Sequence, residues 1–351
     1  MNKEVPMTWY PDFIDLRSDT ATRPTAGMRD AMAKARLGDE QKGEDPTINE
    51  LEKRAAMFLG QDSALFLPTA TMANQIALAL HCDAGDEILI HESAHIVNHE
   101  AAATSMISRA QLKPLQGERG FFDAEDVKNA VRIDDPHHPR TRLVVFENTS
   151  NAGGGSIWKD DNFSSIIDVC QNHKLRTHID GARLVHAAVK KRVSPSHWAG
   201  AVSTAQICFS KGLGCPFGAI LAMPDSHRWK ARRLKQGLGG ALRQAGVVGA
   251  AMLYALDHHV ERLADDHRRA EELNAELDAI PDLEVEPTET NLVFFRVQRP
   301  DLDPNAFCAR LAEKNVRMGT TGDGRVRACL HLDIGDEDIP RVASACRAIL
   351  S

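Results

Sequence analysis

Three short runs in this chain end in chemically distinctive residues at nearly constant intervals. Residues 142–148 read Arg-Leu-Val-Val-Phe-Glu-Asn and close on Glu147. Residues 176–183 read Arg-Thr-His-Ile-Asp-Gly-Ala-Arg and close on Asp180 and Arg183. Residues 206–214 read Gln-Ile-Cys-Phe-Ser-Lys-Gly-Leu-Gly, an apolar strand expected to stop at Lys211 before a glycine turn. The interval is 33 residues from Glu147 to Asp180 and 31 from Asp180 to Lys211. Each is about one strand-helix-strand unit of 30 or more residues. Such regularity predicts a parallel sheet with these residues along one edge, the edge at which open α/β sheets bind ligands.

A lone lysine at a strand end is ordinarily a surface residue, but a carboxylate one unit upstream changes its meaning. An amine and a carboxylate at neighbouring strand ends suit pyridoxal phosphate (PLP). The lysine would form the Schiff base, and the acid would pair with the pyridinium nitrogen. PLP also needs an anion seat. Residues 64–67 form a strand that runs into Pro68, Thr69, Ala70 and Thr71 and then an apolar helix to Leu80. Amides and hydroxyls at a helix start bind phosphate. His95 lies in the loop beyond the strand at 87–90, either as a solvated loop histidine or as a plate stacked on a cofactor ring.

The bulk composition narrows the alternatives. Hydrophobic residues are 43% and charged residues 26%, the values of an ordinary soluble globular chain. The net charge is −7 without a basic block, which argues against nucleic acid or an anionic membrane as the main partner. No apolar run approaches the ~20 residues of a membrane span, and residues 1–11 lack a signal-peptide core. The seven cysteines are odd in number and have no close-spaced pair. They read as buried thiols of a reducing cytoplasm rather than disulfides or a metal cluster, and only Cys215 falls near the proposed site.

Three regions are expected: a tail over 1–13, a large PLP-binding domain over 14–246 and a small α+β domain over 247–351. Within them, residues 25–37 read as a helix. Thr47 and Glu50 have capping-box spacing for a helix through Leu59. The three glycines at 153–155 read as a flexible turn. Residues 216–223 read as a strand running back over the sheet edge, and 247–280 as one long helix.

Taken in order, these blocks resemble the low-specificity L-threonine aldolases, in the β-eliminating lyase branch of fold-type I PLP enzymes. The similarity runs from Ile14 onward. It rests on Asp15-Leu16-Arg17-Ser18-Asp19-Thr20, Gly43-Glu44-Asp45-Pro46-Thr47, Glu147-Asn148-Thr149, His178-Ile179-Asp180-Gly181-Ala182-Arg183, Ser210-Lys211-Gly212-Leu213-Gly214, Leu242-Arg243-Gln244 and His331-Leu332-Asp333. The resemblance implies an aspartate aminotransferase-like α/β fold and retro-aldol cleavage of a β-hydroxy-α-amino acid to glycine and an aldehyde. It also implies a homotetramer, a dimer of dimers with shared sites. Lys211 resembles the Schiff-base lysine, Asp180 the pyridine-nitrogen partner and His95 the ring-stacking histidine. Thr69, Ala70 and Thr71 sit at the phosphate cradle. Ser210 lies beside the cofactor, and Lys235 stands where an arginine often reaches the phosphate. Ser18, Arg183 and Arg327 match positions that hold the substrate carboxylate. His95, His137 and a phosphate-bound water are candidate bases, with His137 also counted at the substrate.

The sequence departs from the family pattern at Lys42, Ala70, His99, Ser150 and Lys235. Lys42, His99 and Ser150 would border the substrate side chain and suggest a more polar or larger substrate than threonine, unless Lys42 simply faces solvent. On the same scaffold a β-eliminating lyase or a racemase would break a different bond at Cα. A relative that binds PLP without turnover is a third reading, opposed by the intact set of Lys211, Asp180, Arg183 and Arg327.

Overall fold

The computed structural model describes residues 13–351, so all of the expected tail but Phe13 lies outside the described residues. The chain enters through a two-residue strand, β1 (Ile14–Asp15). Seven strands follow: β2 (Ser63–Leu67), β3 (Glu87–His91), β4 (Gln111–Leu115), β5 (Thr141–Glu147), β6 (Arg176–Gly181), β7 (Thr204–Cys208) and β8 (Ala219–Met223). The last five are β9 (Leu283–Val285), β10 (Leu292–Val297), β11 (Val316–Arg317), β12 (Gly319–Thr320) and β13 (Val326–Cys329).

Strands β2 to β8 form one sheet in the order β2-β8-β7-β6-β5-β3-β4. Strands β3 to β7 are mutually parallel, and β8 is antiparallel to both of its neighbours. β8 reverses because only residues 209–218 separate it from β7, fewer than the dozen or more a parallel crossover needs. It is the strand expected to run back over the edge. Every residue of β2, β3, β7 and β8 is buried, the pattern of strands covered on both faces. The C-terminal ends of β3, β5, β6 and β7 therefore meet at one edge, as the spacing predicts. Register is direct: Glu147 opposes Asp180, and Asp180 opposes Gln206.

The chain divides into two units, the larger being Thr22–Ala264. The smaller takes the described residues up to Ala21 together with Asp265–Ser351. The boundary expected at 246/247 is thus moved to 264/265. The helix Gly246–His258 stays with the larger unit because it packs on the helices Ala26–Ala33 and Pro46–Leu59. A Cβ on its Gly249 would lie 2.9 Å from Ile48 Cδ1. β1 joins the smaller unit by pairing in parallel with β11. There β9, β10, β13 and β12 form an antiparallel sheet over a core that includes Leu273, Phe295, Phe307 and Val342.

Three local expectations are corrected. The long helix is two, Gly246–His258 and Leu263–Asp278. Apolar periodicity continues through the break, but His259 Nδ1 pairs with the Leu213 carbonyl at 2.8 Å. Asp45, not Thr47, caps the helix Pro46–Leu59; its Oδ1 accepts from the amides of Thr47 and Ile48, each at 3.1 Å. Pro46 at the first helical position favours that start, and the Thr47 hydroxyl donates to the Arg36 carbonyl. Glycines 153–155 are buried rather than flexible. The Gly153 amide donates to Ser150 Oγ at 3.2 Å, and a Cβ there would lie 2.0 Å from the Arg119 carbonyl oxygen. Among the described residues no helix is long and apolar enough to cross a membrane.

Candidate active site

The parallel edge brings Glu147, Asp180, His95 and Lys211 into one region of the larger unit. Asp180, near the end of β6, is 2% exposed. Its Oδ2 accepts from Asn74 Nδ2 at 2.8 Å, and its Oδ1 from Gln206 Nε2 at 2.5 Å and the Ala182 amide at 3.2 Å. Glu147, opposite Asp180 in β5, is also buried. Its carboxylate accepts from the His95 amide at 2.6 Å and the Asn151 amide at 2.7 Å. Burial, followed by the nearby charge of Asp180, raises the Glu147 carboxyl above its usual range.

His95 is not in a loop but opens a one-turn helix, His95–Asn98. Its Nδ1 lies 3.0 Å from Glu100 Oε1. That hydrogen bond, and then the charges of Asp180 and Glu100, raise its pKa against the opposing pull of burial and of Lys211. Lys211 follows the end of β7, the strand beside β6 and Asp180. His99 is exposed, with its ring 5.5 Å from that of His95.

Strand β7 ends at Cys208, so Lys211 lies three residues beyond it rather than at its tip. A tight turn holds the lysine backbone: its carbonyl accepts from Thr22 Oγ1 at 3.0 Å and the Gly214 amide at 2.8 Å. Gly212 is required because a Cβ there would lie 2.3 Å from His186 Nε2. Ser210 Oγ sits 3.4 Å from Cys208 Sγ. Thr69 caps the helix Ala70–His81, its Oγ1 accepting from the Met72 amide at 3.1 Å. The amides of Ala70 and Thr71 belong to the first helical turn and have no intrahelical acceptor, an anion seat with the positive end of the helix behind it. Gly240 passes close above this start; a Cβ there would lie 2.3 Å from Met72 Sδ.

Other expected site residues have other surroundings. The Lys235 ammonium, buried to 2% exposure, pairs with Glu40 Oε1 at 2.7 Å and lies 5.0 Å from the centre of the Phe66 ring. The lysine expected at the phosphate is therefore engaged in an internal ion pair. Lys42 is exposed. Ser150 is buried and serves the glycine turn. His137 is exposed and pairs with Asp135 at 2.8 Å, on the loop entering β5 and so at the opposite end of that strand from Glu147. Arg183 is 5% exposed, and its Nη1 donates to Asn151 Oδ1 at 3.2 Å. Ser18 and Arg327 belong to the smaller unit. There Ser18 Oγ accepts from the Thr20 amide and Arg327 Nη2 donates to the Arg17 carbonyl.

Two site residues escaped the sequence reading. Glu100 is buried and also accepts from Asn74 at 2.8 Å and Gln75 at 2.6 Å. Asn74 bridges Glu100 and Asp180. A polar residue between Ala73 and Ile76 on an apolar helix was the available signal. His95, Glu100 and Asp180 each bring one ligand atom within 4.8 Å of the others, a spacing that also suits a cation. Yet the carboxylate oxygens already face amide donors from Asn74, Gln75 and Gln206, which a cation would have to displace.

The lysine amine, the buried carboxylate and the helix start could together hold a phosphorylated aromatic cofactor. The chain as a whole resembles known proteins. The beta-eliminating lyase family profile matches residues 15–300. The chain is 34% identical over 335 residues to a low-specificity L-threonine aldolase 1 of Arabidopsis thaliana, covering 93% of each. It is 34% identical over 339 residues to the low specificity L-threonine aldolase of Escherichia coli K12, covering 96% of this chain and 99% of that one. A Leishmania major threonine aldolase structure superposes with a TM-score of 0.83 at 20% identity, covering 96% of this chain and 99% of that chain. The fold is the fold-type I arrangement expected from the sequence. On the profile match over residues 15–300 and the match to the aldolase relatives over more than nine-tenths of the chain, the chain belongs to the beta-eliminating lyase family.

Proposed function

We propose that the protein is a PLP-dependent aldehyde-lyase that cleaves L-threonine, allo-threonine or a related β-hydroxy-α-amino acid to glycine and an aldehyde. The observation that carries this reading is the joint placement of Lys211, Asp180 and His95 at one sheet edge. The donor set fits the cofactor: Lys211 offers the amine, Asp180 a buried carboxylate for a ring cation, and Ala70 and Thr71 the phosphate amides. The side-chain oxygens of Asn148 and Thr149, just past β5, are buried without a hydrogen-bond partner, leaving acceptor capacity at the same edge. When bound, PLP supplies the electron sink for the pair left on Cα once the Cα–Cβ bond breaks.

The chain's own groups do the rest. Asp180 would hold the ring nitrogen protonated. His95 would cover the ring face; it is oriented by Glu100 through Nδ1, so Nε2 is its atom left to move a proton. Arg183 offers the planar fork suited to a substrate carboxylate. His137 enters from the far end of β5, which within one chain leaves the proton at the edge to His95. Within one chain Lys42 is exposed and Ser150 serves the glycine turn, while His99 lies beside His95; threonine is the reference substrate against which a more polar or larger one is compared. A homotetramer in a cytoplasmic setting, with sites shared between subunits, completes the proposal; light scattering reads the assembly.

The test is aldehyde release from L-threonine by the PLP-loaded protein, beside Lys211→Ala. Acetaldehyde with stoichiometric glycine, lost in the variant, is the expected result. 2-Oxobutyrate and ammonia, or an inverted amino acid, would instead assign β-elimination or racemisation.

A further inference from the structure

A line of buried side chains runs behind the edge from His81 to the two carboxylates. His81 Nε2 lies 3.0 Å from Thr204 Oγ1, which lies 2.9 Å from His178 Nδ1. His178 Nε2 lies 3.2 Å from Asn74 Oδ1. Asn74 Nδ2 then lies 2.8 Å from both Glu100 Oε1 and Asp180 Oδ2. All six side chains are buried.

Proton counting gives this line a direction. Carboxylates only accept, so the Asn74 amide must turn both hydrogens toward them and its oxygen toward His178. An amide oxygen donates nothing, so His178 Nε2 carries the proton. The lone pair then sits on Nδ1 and needs a donor, which is the Thr204 hydroxyl. That hydroxyl has one hydrogen, so His81 Nε2–H donates to it. Burial lowers the pKa of His178 to about 4 and that of His81 well below the usual value, so each ring carries a single proton at neutral pH.

We propose that Thr204 and His178 are positioning residues that keep Asn74 turned to hold Asp180 and Glu100 as carboxylates, ready for a cationic cofactor ring and for His95. This rests on the PLP reading of the site. Without the hydroxyl, the His178 proton is free to move to Nδ1, which also lies 3.2 Å from the Thr204 carbonyl. The Asn74 oxygen then loses its donor and faces a lone pair on Nε2, so the amide is held in place by the two carboxylates alone and its two hydrogen bonds to them loosen.

The experiment titrates apo-protein with PLP and follows the visible band of the bound cofactor. It compares wild type with Thr204→Val, which keeps the shape and loses the hydroxyl, and Thr204→Ser, which keeps the hydroxyl. Loss of a hydrogen bond to a charged group predicts affinity lowered by about tenfold or more in the valine variant. The serine variant should bind like wild type. A second pair, His178→Leu and His178→Gln, separates loss of the Nε2 donor from its retention and decides the matter if the valine protein does not fold. Equal affinity within each measurable pair, alongside a wild type that binds PLP, overturns the relay. A wild type that takes up no PLP overturns the cofactor reading, and the relay falls with it.

Discussion

The buried pair Glu40–Lys235 permits a quantitative test of the interior beside the site. Glu40 is 6% exposed and Lys235 2%, with Nζ to Oε1 at 2.7 Å. Glu40 Oε2 also accepts from the Leu242 amide at 3.1 Å. Burial pulls the Lys235 ammonium below its usual pKa, against the opposing pull of Glu40. Glu40→Leu would leave that charge buried without its partner, a loss of about 3–5 kcal/mol. The unpaired Leu242 amide adds ~1–3 kcal/mol. Lys235→Met alone strands the carboxylate and should cost a similar ~3–5 kcal/mol. The double variant Glu40→Leu/Lys235→Met removes both charges and should recover all but the ~1–3 kcal/mol of the stranded amide. The assay is urea denaturation of all four proteins at neutral pH, read as a double-mutant cycle. The Glu40→Leu loss should also shrink with rising alkalinity. A folded-state lysine of depressed pKa releases its proton before the unfolded chain does, so stability rises with pH through that window. A double variant no more stable than Glu40→Leu alone would refute the assignment of the loss to a stranded charge.

Two further predictions follow from buried polar groups. The His178 pKa falls from 6.5 to about 4 on folding because the ring is buried. As pH drops through that window the unfolded chain takes the proton first, so the neutral ring's contribution is lost at about 1.4 kcal/mol per pH unit. Urea midpoints between pH 7 and 4 should fall more steeply in wild type than in His178→Gln; parallel slopes would contradict this. Asp45 caps one helix through Oδ1, while its Oδ2 accepts from the Gly246 amide at 2.9 Å and the Gly38 amide at 3.3 Å. Asp45→Ala should cost about 2–4 kcal/mol by denaturation, from the cap and the stranded amides together. Asp45→Asn, which keeps the cap oxygen, should lose about half of that.

The candidate edge was legible because its signals are local. Apolar runs such as Leu143 to Phe146 mark buried strands without outside help, and their spacing fixes the length of each strand-helix unit. Parallel strands separated by whole units must end together, so Glu147, Asp180 and the approach to Lys211 share an edge whatever the remaining packing. The reversed β8 was also readable, since the link after Lys211 is too short for a crossover. Partner choice was not readable. Lys235 carries a charge that sequence alone assigns to a phosphate as readily as to a carboxylate; the fold supplies Glu40 from 195 residues away. The helix break falls at His259, whose ring pairs with the Leu213 carbonyl 46 residues earlier. The histidine in β6 that meets the Asn74 oxygen and the threonine in β7 behind it are brought together by sheet register alone. The sequence determined the elements and the edge, because those follow from short-range periodicity and chain length. Tertiary structure decided the hydrogen-bond partners of each buried polar group, because a buried group must take whatever donor or acceptor the packing brings within about 3 Å.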